Sequence, residues 1–195
     1  MNKNTDLRVL KTKRALYNAF FDMLTENNFD TITVNSLCDR AMIRRATFYN
    51  HYLDKYDFFA HFVRYVRDEK IGDKNRHSNN DSLLSYYTVF MESFIEFSME
   101  NKSLFQNILS SKMRPALLDI LTSETYKHML DILQTNMHRT ANTSNHILAS
   151  FCTGGIIQVM LFWLTQPTDM TGEELLSNVI ALLSNFLSNN PDFKK

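Results

Sequence analysis

The chain has 195 residues, 44% of them hydrophobic, and its 21 basic and 21 acidic side chains cancel. Only four glycines and three prolines interrupt long periodic apolar runs. This predicts an all-α fold, with enough chain for one sizeable core or two small ones. So little glycine leaves no phosphate-cradling loop, and no GxSxG, P-loop or GxGxxG pattern occurs, which speaks against an enzyme.

Residues 1–55 carry nine basic and six acidic side chains, a mild basic lean compatible with nucleic acid. The opening MNKNTDLRVLKTKR is polar and lacks the apolar stretch of a signal peptide, so none is expected. Over 8–27, Leu16, Ala19, Phe20, Met23 and Leu24 recur at helical spacing, while Lys11, Lys13 and Arg14 face elsewhere. Asn27 and Asn28 end this helix, asparagine being the non-glycine residue that best tolerates a left-handed cap. Phe29, Ile32 and Val34 lead into a short helix near 33–40, with Thr33 as N-cap and Leu37 and Ala41 facing inward. After a break at Met42 and Ile43 come a third short helix over 44–51 and a fourth. Asp54 caps the fourth, which runs to about 71 on Phe58, Phe59, Phe62, Tyr65 and Val66. GDKNRHSNNDS, 72–82, reads as a polar linker. Longer helices follow over 82–99, 103–110, 115–139, 144–165 and 172–188, with breaks at Asn101, Pro115 and Pro167. In TGEE, 171–174, Thr171 and Glu174 form a capping box. Cys38 and Cys152 lie far apart without a CxxC partner, as buried small hydrophobes of a reducing cytoplasm do.

The segment RRATFYNHYLDKYDFF, 44–59, concentrates chemistry. Three helices within fifty residues, the last two short and joined by a tight turn, describe a helix-turn-helix. Phe48 and Tyr52 are four apart and share the inner side, which leaves Arg44, Arg45, Thr47, Tyr49, Asn50 and His51 on the others. Threonine, tyrosine and histidine can bond phosphate oxygens, and arginine and asparagine can read base edges. Lys55 follows the cap Asp54, so its charge opposes the helix dipole by a few tenths of a kcal/mol unless an anion docks there. A solvated lysine beside Asp57 is the plainer alternative.

These residues carry a resemblance. Residues 8–60 resemble the DNA-binding domain of the TetR family of transcriptional regulators, through ALYNAFFDMLTENNFDTITVNSLCDRA and IRRATFYNHYLDKYDFF. The signature T-F-Y-x-H-Y-x-x-K stands here as Thr47, Phe48, Tyr49, His51, Tyr52 and Lys55. The resemblance implies that Thr33, Thr47, Tyr49, His51 and Lys55 hold phosphates and that Arg44, Arg45 and Asn50 approach base edges. It implies a helix-turn-helix domain over 1–55, then a helical effector-binding and dimerisation domain over 56–195, about nine helices in all. The chain departs from the family at Asn28 and Met42, where glycine is usual, and at Arg44, where serine or threonine is. Met42 must then carry the turn at a cost of about 1 kcal/mol, and Arg44 is a poor N-cap.

In the C-terminal part, HILASFCTGGIIQVMLFWL, 146–164, is apolar nearly all round and long enough to span a bilayer. It carries His146, Ser150, Thr153 and Gln158 and no flanking Lys or Arg, which favours a helix buried in protein, so no membrane partner is expected. One subunit has difficulty burying every side of such a helix, so a second copy is expected against Gly154, Gly155, Val159, Phe162 and Trp163. Leu176, Val179, Leu183 and Phe186 of the last helix complete that interface. The paired glycines cost the helix roughly 2 kcal/mol against alanines, which a close helix crossing would justify. A kink within one subunit is the other reading. Tyr87, Phe90, Met91, Phe94, Met113, Tyr126, Met129 and Phe151 fill a core by default, and together they could enclose an apolar or aromatic small molecule.

Six scattered histidines show no ligand spacing, so neither a metal nor any cofactor is expected. The expected protein is a cytoplasmic homodimeric regulator on a palindromic double-stranded operator, a repressor by the family's default, released by a small effector. Control by a protein partner on the same fold is the alternative, and a membrane-associated helical protein is a more distant one.

Overall fold

A computed structural model describes residues 3–71, 83–136, 144–166 and 169–189. Among them are nine α-helices and no strand, so the all-α expectation holds. The helices are α1 (Lys3–Glu26), α2 (Val34–Arg40), α3 (Arg45–Tyr49), α4 (Lys55–Val66), α5 (Leu83–Glu100), α6 (Lys102–Leu109), α7 (Arg114–Asn136), α8 (Asn145–Thr165) and α9 (Gly172–Asn189). A single 3-10 turn, Phe29–Thr31, precedes α2, and a π-helical segment, Arg67–Ile71, follows α4. The linker expected over 72–82, the C-terminal residues 137–139 of the helix expected over 115–139, and the break at Pro167 lie outside the described residues.

The chain forms two compact units, the first Met1–Val66 with Asn101–Ile120, the second Arg67–Glu100 with Leu121–Lys195. The first is closed by aromatic rings. Leu16, Phe20 and Leu24 of α1 are fully buried with Phe29, Phe48 and Phe58. The Phe20 ring meets Phe58 and Phe62 edge-on at 5.1 and 4.9 Å, and Phe29 meets Phe59 edge-on at 5.5 Å. Each such ring contributes roughly 1.5–3 kcal/mol by burial, and edge-to-face geometry adds to it. α6 lies along α1 in the same unit.

The second unit is built on aliphatic and sulfur-bearing side chains. Met91 and Ile95 of α5, Met129 and Leu133 of α7, Leu148, Ala149, Cys152, Ile156 and Met160 of α8 and Leu175 of α9 form one buried cluster. α9 starts in close contact with α5: a Cβ at Gly172 would lie 2.6 Å from Ile95 Cγ2 and 3.2 Å from Met99 Sδ. A larger residue there would force Ile95 to shift, a constraint the capping box alone did not reveal. The box itself is formed, Thr171 N–H donating to Glu174 Oε2 at 2.8 Å and Glu174 N–H to Thr171 Oγ1 at 3.2 Å. Among the described residues α8 is the one helix long and apolar enough to cross a membrane, a test that core helices also pass. Its inner side belongs to the buried cluster. Both cysteines are buried thiols outside any disulfide.

Candidate nucleic-acid interface

α2 begins on a formed cap. Thr33 Oγ1 accepts from Ser36 N–H at 3.0 Å and Ser36 Oγ accepts from Thr33 N–H at 3.0 Å. The helix ends in a Schellman arrangement: Ile43 N–H donates to Cys38 O at 2.9 Å and Met42 N–H to Asp39 O at 3.2 Å. Met42 sits at φ 54°, the left-handed region that favours glycine, with its side chain 92% exposed. The tight turn of the helix-turn-helix therefore forms with a methionine in the glycine position, as the sequence required. Asn28 differs from expectation. Its backbone is extended, φ −62° and ψ 141°, and its side chain caps the Phe29–Thr31 turn by accepting from Asp30 N–H at 2.9 Å. The first helix thus ends without a left-handed residue, because the amide of Asn28 serves the following turn.

α3 is shorter than expected, Arg45–Tyr49, since Arg44 stands at its N-cap without a side-chain cap bond. Phe48 is fully buried, its ring 5.2 Å from Tyr52 and 5.5 Å from Phe58. Tyr52 donates to the Tyr17 hydroxyl at 3.0 Å inside the core. Burial, the largest cause, raises the pKa of both phenols and keeps them protonated. With Phe48 and Tyr52 held inward, Arg44, Arg45, Tyr49 and Asn50 stand exposed on one short element, Thr47 and His51 are half-buried beside them, and Thr33 is exposed at the start of α2. Such a surface can present guanidinium, amide and hydroxyl groups to a duplex.

Asp54 caps α4, its Oδ1 accepting from Tyr56 and Asp57 N–H, both at 2.8 Å, and Asp57 Oδ2 accepts from Leu53 N–H at 2.9 Å. Lys55 turns back from this helix start. Its ammonium donates to Phe29 O at 2.9 Å and Ile32 O at 2.8 Å and lies 4.1 Å from the centroid of the Phe29 ring. Burial lowers the Lys55 pKa from its ordinary value, opposed by the Asp30 carboxylate. Two of its three N–H groups are spent on carbonyls, so one is left for a phosphate. The plainer picture of a solvated lysine paired with Asp57 does not describe it. These carbonyls lie 26 and 23 positions back in the chain, a pairing no local pattern signals.

Of the residues expected to enclose a small molecule, the second unit brings together Phe90, Met91, Phe94, Tyr126 and Met129 in and around its cluster. Tyr126 Oη lies 2.7 Å from His146 Nδ1, which ties α7 to α8. Met113 is not among them: it lies in the first unit, 40% exposed. Phe151 is not either: it is 60% exposed, on the outer face of α8. The side chain of Tyr87 lies outside the described residues. The interface candidates also divide. Gly154, Gly155 and Phe162 are exposed on that outer face with Ile147 and Phe151, and among the described residues nothing lies within 4 Å of where either glycine's Cβ would be. Val159, Trp163, Leu176, Val179 and Leu183 are half-buried against the unit's own cluster instead. Trp163 Nε1 donates to Met170 O at 3.0 Å. The side chain of Phe186 lies outside the described residues. No group of three His, Cys, Asp or Glu side chains able to hold a metal occurs among the described residues.

An aromatic core that turns a short polar helix outward, behind a capped α2 and a Schellman turn, defines a helix-turn-helix protein. A TetR-type family model, "Transcriptional regulator C-terminal region", matches residues 87–185. The chain belongs to the TetR family of transcriptional regulators, which are not enzymes. It is 38% identical over 63 residues to the uncharacterised HTH-type transcriptional regulator YxbF of Bacillus subtilis (strain 168). That match spans 32% of this chain and 17% of YxbF. A TetR transcriptional regulator from Streptococcus agalactiae 2603V is similar in structure, with TM-score 0.57 and 24% identity over 92% of this chain and 97% of that one. Another, from Rhodococcus sp. RHA1, has TM-score 0.63 and 12% identity over 95% and 99%. At these identities the two structures speak to the fold.

Proposed function

We propose that the protein is a cytoplasmic homodimer that binds a palindromic operator as a repressor and is released by an apolar or aromatic small molecule. The observation that carries the reading is α3, which buries Phe48 and turns Arg44, Arg45, Tyr49 and Asn50 to solvent. Arg44, Arg45 and Asn50 meet base edges, while Thr33, Thr47, Tyr49, His51 and the remaining donor of Lys55 meet phosphates. Residues 1–55 serve as the DNA-reading part, and 56–195 serve effector binding and dimerisation. The exposed apolar stripe of α8, open at Gly154 and Gly155, suits a second copy of the same helix crossing closely. Two heads related by a two-fold axis then meet half-sites one helical turn apart, or a multiple of it. Phe90, Met91, Phe94, Tyr126 and Met129 would line the effector site.

The test is selection of duplexes from a random pool, followed by anisotropy titration. A palindrome should emerge, bound by a dimer with steep salt dependence, and Arg45→Ala should weaken binding by about 1–3 kcal/mol and relax one base position. A monomer that selects no sequence would overturn the reading. A thermal-shift screen of apolar compounds separates the modes of release, since silence there together with recovery of a protein partner would replace the small molecule by that partner.

A further inference from the structure

The first unit contains a group of hydrogen bonds, away from α3, between residues about eighty positions apart. The chain passes from α1 to α2 through the single turn Phe29–Thr31, with Thr33 capping α2 directly after it. The corner between α6 and α7 reaches this turn. Ser111 Oγ donates to Asp30 Oδ1 at 2.6 Å, Lys112 N–H donates to Asp30 Oδ2 at 2.8 Å, and Asn28 Nδ2 donates to Ser110 Oγ at 2.9 Å. Nearby, Asn107 Nδ2 of α6 donates to Leu24 O in the last turns of α1 at 2.8 Å. Ser111 Oγ also accepts from Met113 N–H at 3.0 Å, so one hydroxyl serves both the start of α7 and the Asp30 carboxylate. From the other side Lys55 holds Phe29 O and Ile32 O. A three-residue turn is thus fixed by two clamps, one from the α6–α7 corner and one from α4.

We propose that Asp30 is a positioning residue for DNA recognition, setting the start of α2 through the Ser111 hydroxyl and the Lys112 amide. The proposal rests on the DNA-binding reading above. Both carboxylate oxygens are engaged and both bonds are charge-assisted, the directional kind that fixes orientation. The bonds from Ser111 and Lys112 lower the Asp30 pKa, in keeping with an ionised clamp. Thr33, a phosphate-facing candidate, lies three residues further on, so a turn released from the corner shifts Thr33 and the α2–α3 pair it leads. Asp30 touches no DNA in this arrangement. Lys55 holds the same turn from α4 through two carbonyls, in addition to its phosphate contact. The corner continues as α7, which begins in the first unit and carries Tyr126 and Met129 in the second.

Affinity for the selected duplex decides the matter, measured across a salt series at a temperature where circular dichroism shows every variant folded. Asp30→Ala should weaken binding about tenfold on every sequence with the salt slope and base preference unchanged, because it misplaces Thr33 and the α2–α3 pair without removing any cationic or base-reading side chain. Asp30→Asn, which keeps one accepting oxygen, should fall between. Ser111→Ala should weaken binding also, and the double variant should fall short of the sum of the two, the lost α7 cap entering both Ser111→Ala steps and cancelling in the coupling energy. Lys55→Ala, which removes both the second clamp and a phosphate contact, should lose affinity on every sequence alike and lower the salt slope by about one, unlike Asp30→Ala. Wild-type binding by Asp30→Ala and Ser111→Ala, or strict additivity, would sink the clamp while leaving the DNA reading intact, provided Arg45→Ala still weakens binding. If Asp30→Ala does not fold, Ser111→Ala decides alone. Failure of the wild-type protein to select any duplex overturns both readings.

Discussion

In the first unit, aromatic side chains of α1, the Phe29–Thr31 turn, α3 and α4 bury one another: Phe20, Phe29, Phe48 and Phe58 are fully enclosed within the chain. In the second, α8 turns Leu148, Ala149, Cys152, Ile156 and Met160 inward and leaves Ile147, Phe151 and Phe162 outside. The first closes its core unaided, as a head must if its polar helix is to meet a ligand in fixed register. The second carries its most apolar helix with one side open. Apolar side chains therefore stand differently in the two places, enclosed in one and exposed along one side of α8 in the other, the face proposed above for a second copy.

The largest expected break in that contrast is Phe48→Ala against Phe151→Ala. The first leaves a cavity among Tyr52, Phe58 and Tyr49 and should cost about 3–5 kcal/mol in denaturant unfolding of the head. The second should leave monomer stability within about 0.5 kcal/mol, yet lower self-association in sedimentation equilibrium. Equal losses in unfolding would mean that α8 is covered within its own chain.

The glycines sharpen the comparison at smaller scale. Gly172→Ala forces a Cβ against Ile95 Cγ2, a methyl on a stiff β-branched side chain, and should cost about 1–3 kcal/mol. Gly155→Ala meets nothing within 4 Å among the described residues and should raise the stability of the monomer by up to about 1 kcal/mol through helix propensity. The same change should weaken the dimer, so the two effects have opposite sign and can be read separately by thermal melts at low and high protein concentration.

A pH effect belongs to the second unit. Burial, reinforced by Arg67 and opposed by Asp68 and Asp131, pushes the His128 imidazole down to about 4. Between about 6.5 and 4 the unfolded chain takes up a proton that the folded unit refuses, so stability should fall as pH drops through that window and level off below it. His128 is partly solvated, which tempers the loss, and His128→Asn should flatten the profile. The smallest change expected is Met42→Gly. Relief of left-handed strain, about 1 kcal/mol or more, is partly offset by the freer unfolded chain, for a net gain of about 0.5 kcal/mol in thermal unfolding of the head.

Much of the fold was legible because its signals are local. Thr33, Asp54 and the Thr171–Glu174 pair announce helix starts within one turn of chain, and the spacing of Phe48 and Tyr52 fixes which side of α3 faces the core. The outward polar set on α3 follows from that spacing. Met42 in the turn was legible too, as a residue in a place that calls for glycine. The partners of Lys55 and Asp30 were not, because their bonds join segments 23 to 82 residues apart, and sequence periodicity carries no information about which surfaces meet. For the same reason Phe151 and Met113 read as interior by composition alone, and packing left both out of the second unit's buried cluster and substantially exposed.

The sequence by itself determined helices, caps, the strained turn and the side of α3 that stays polar, since each depends on neighbours within about four residues. Tertiary structure alone decided that Lys55 spends its charge on carbonyls, that Asp30 is gripped by a distant corner, that a larger residue at Gly172 would force Ile95 to shift and that α8 keeps an apolar side open. Those outcomes depend on distances between elements, set by how whole helices pack and not by the order of residues along any one of them.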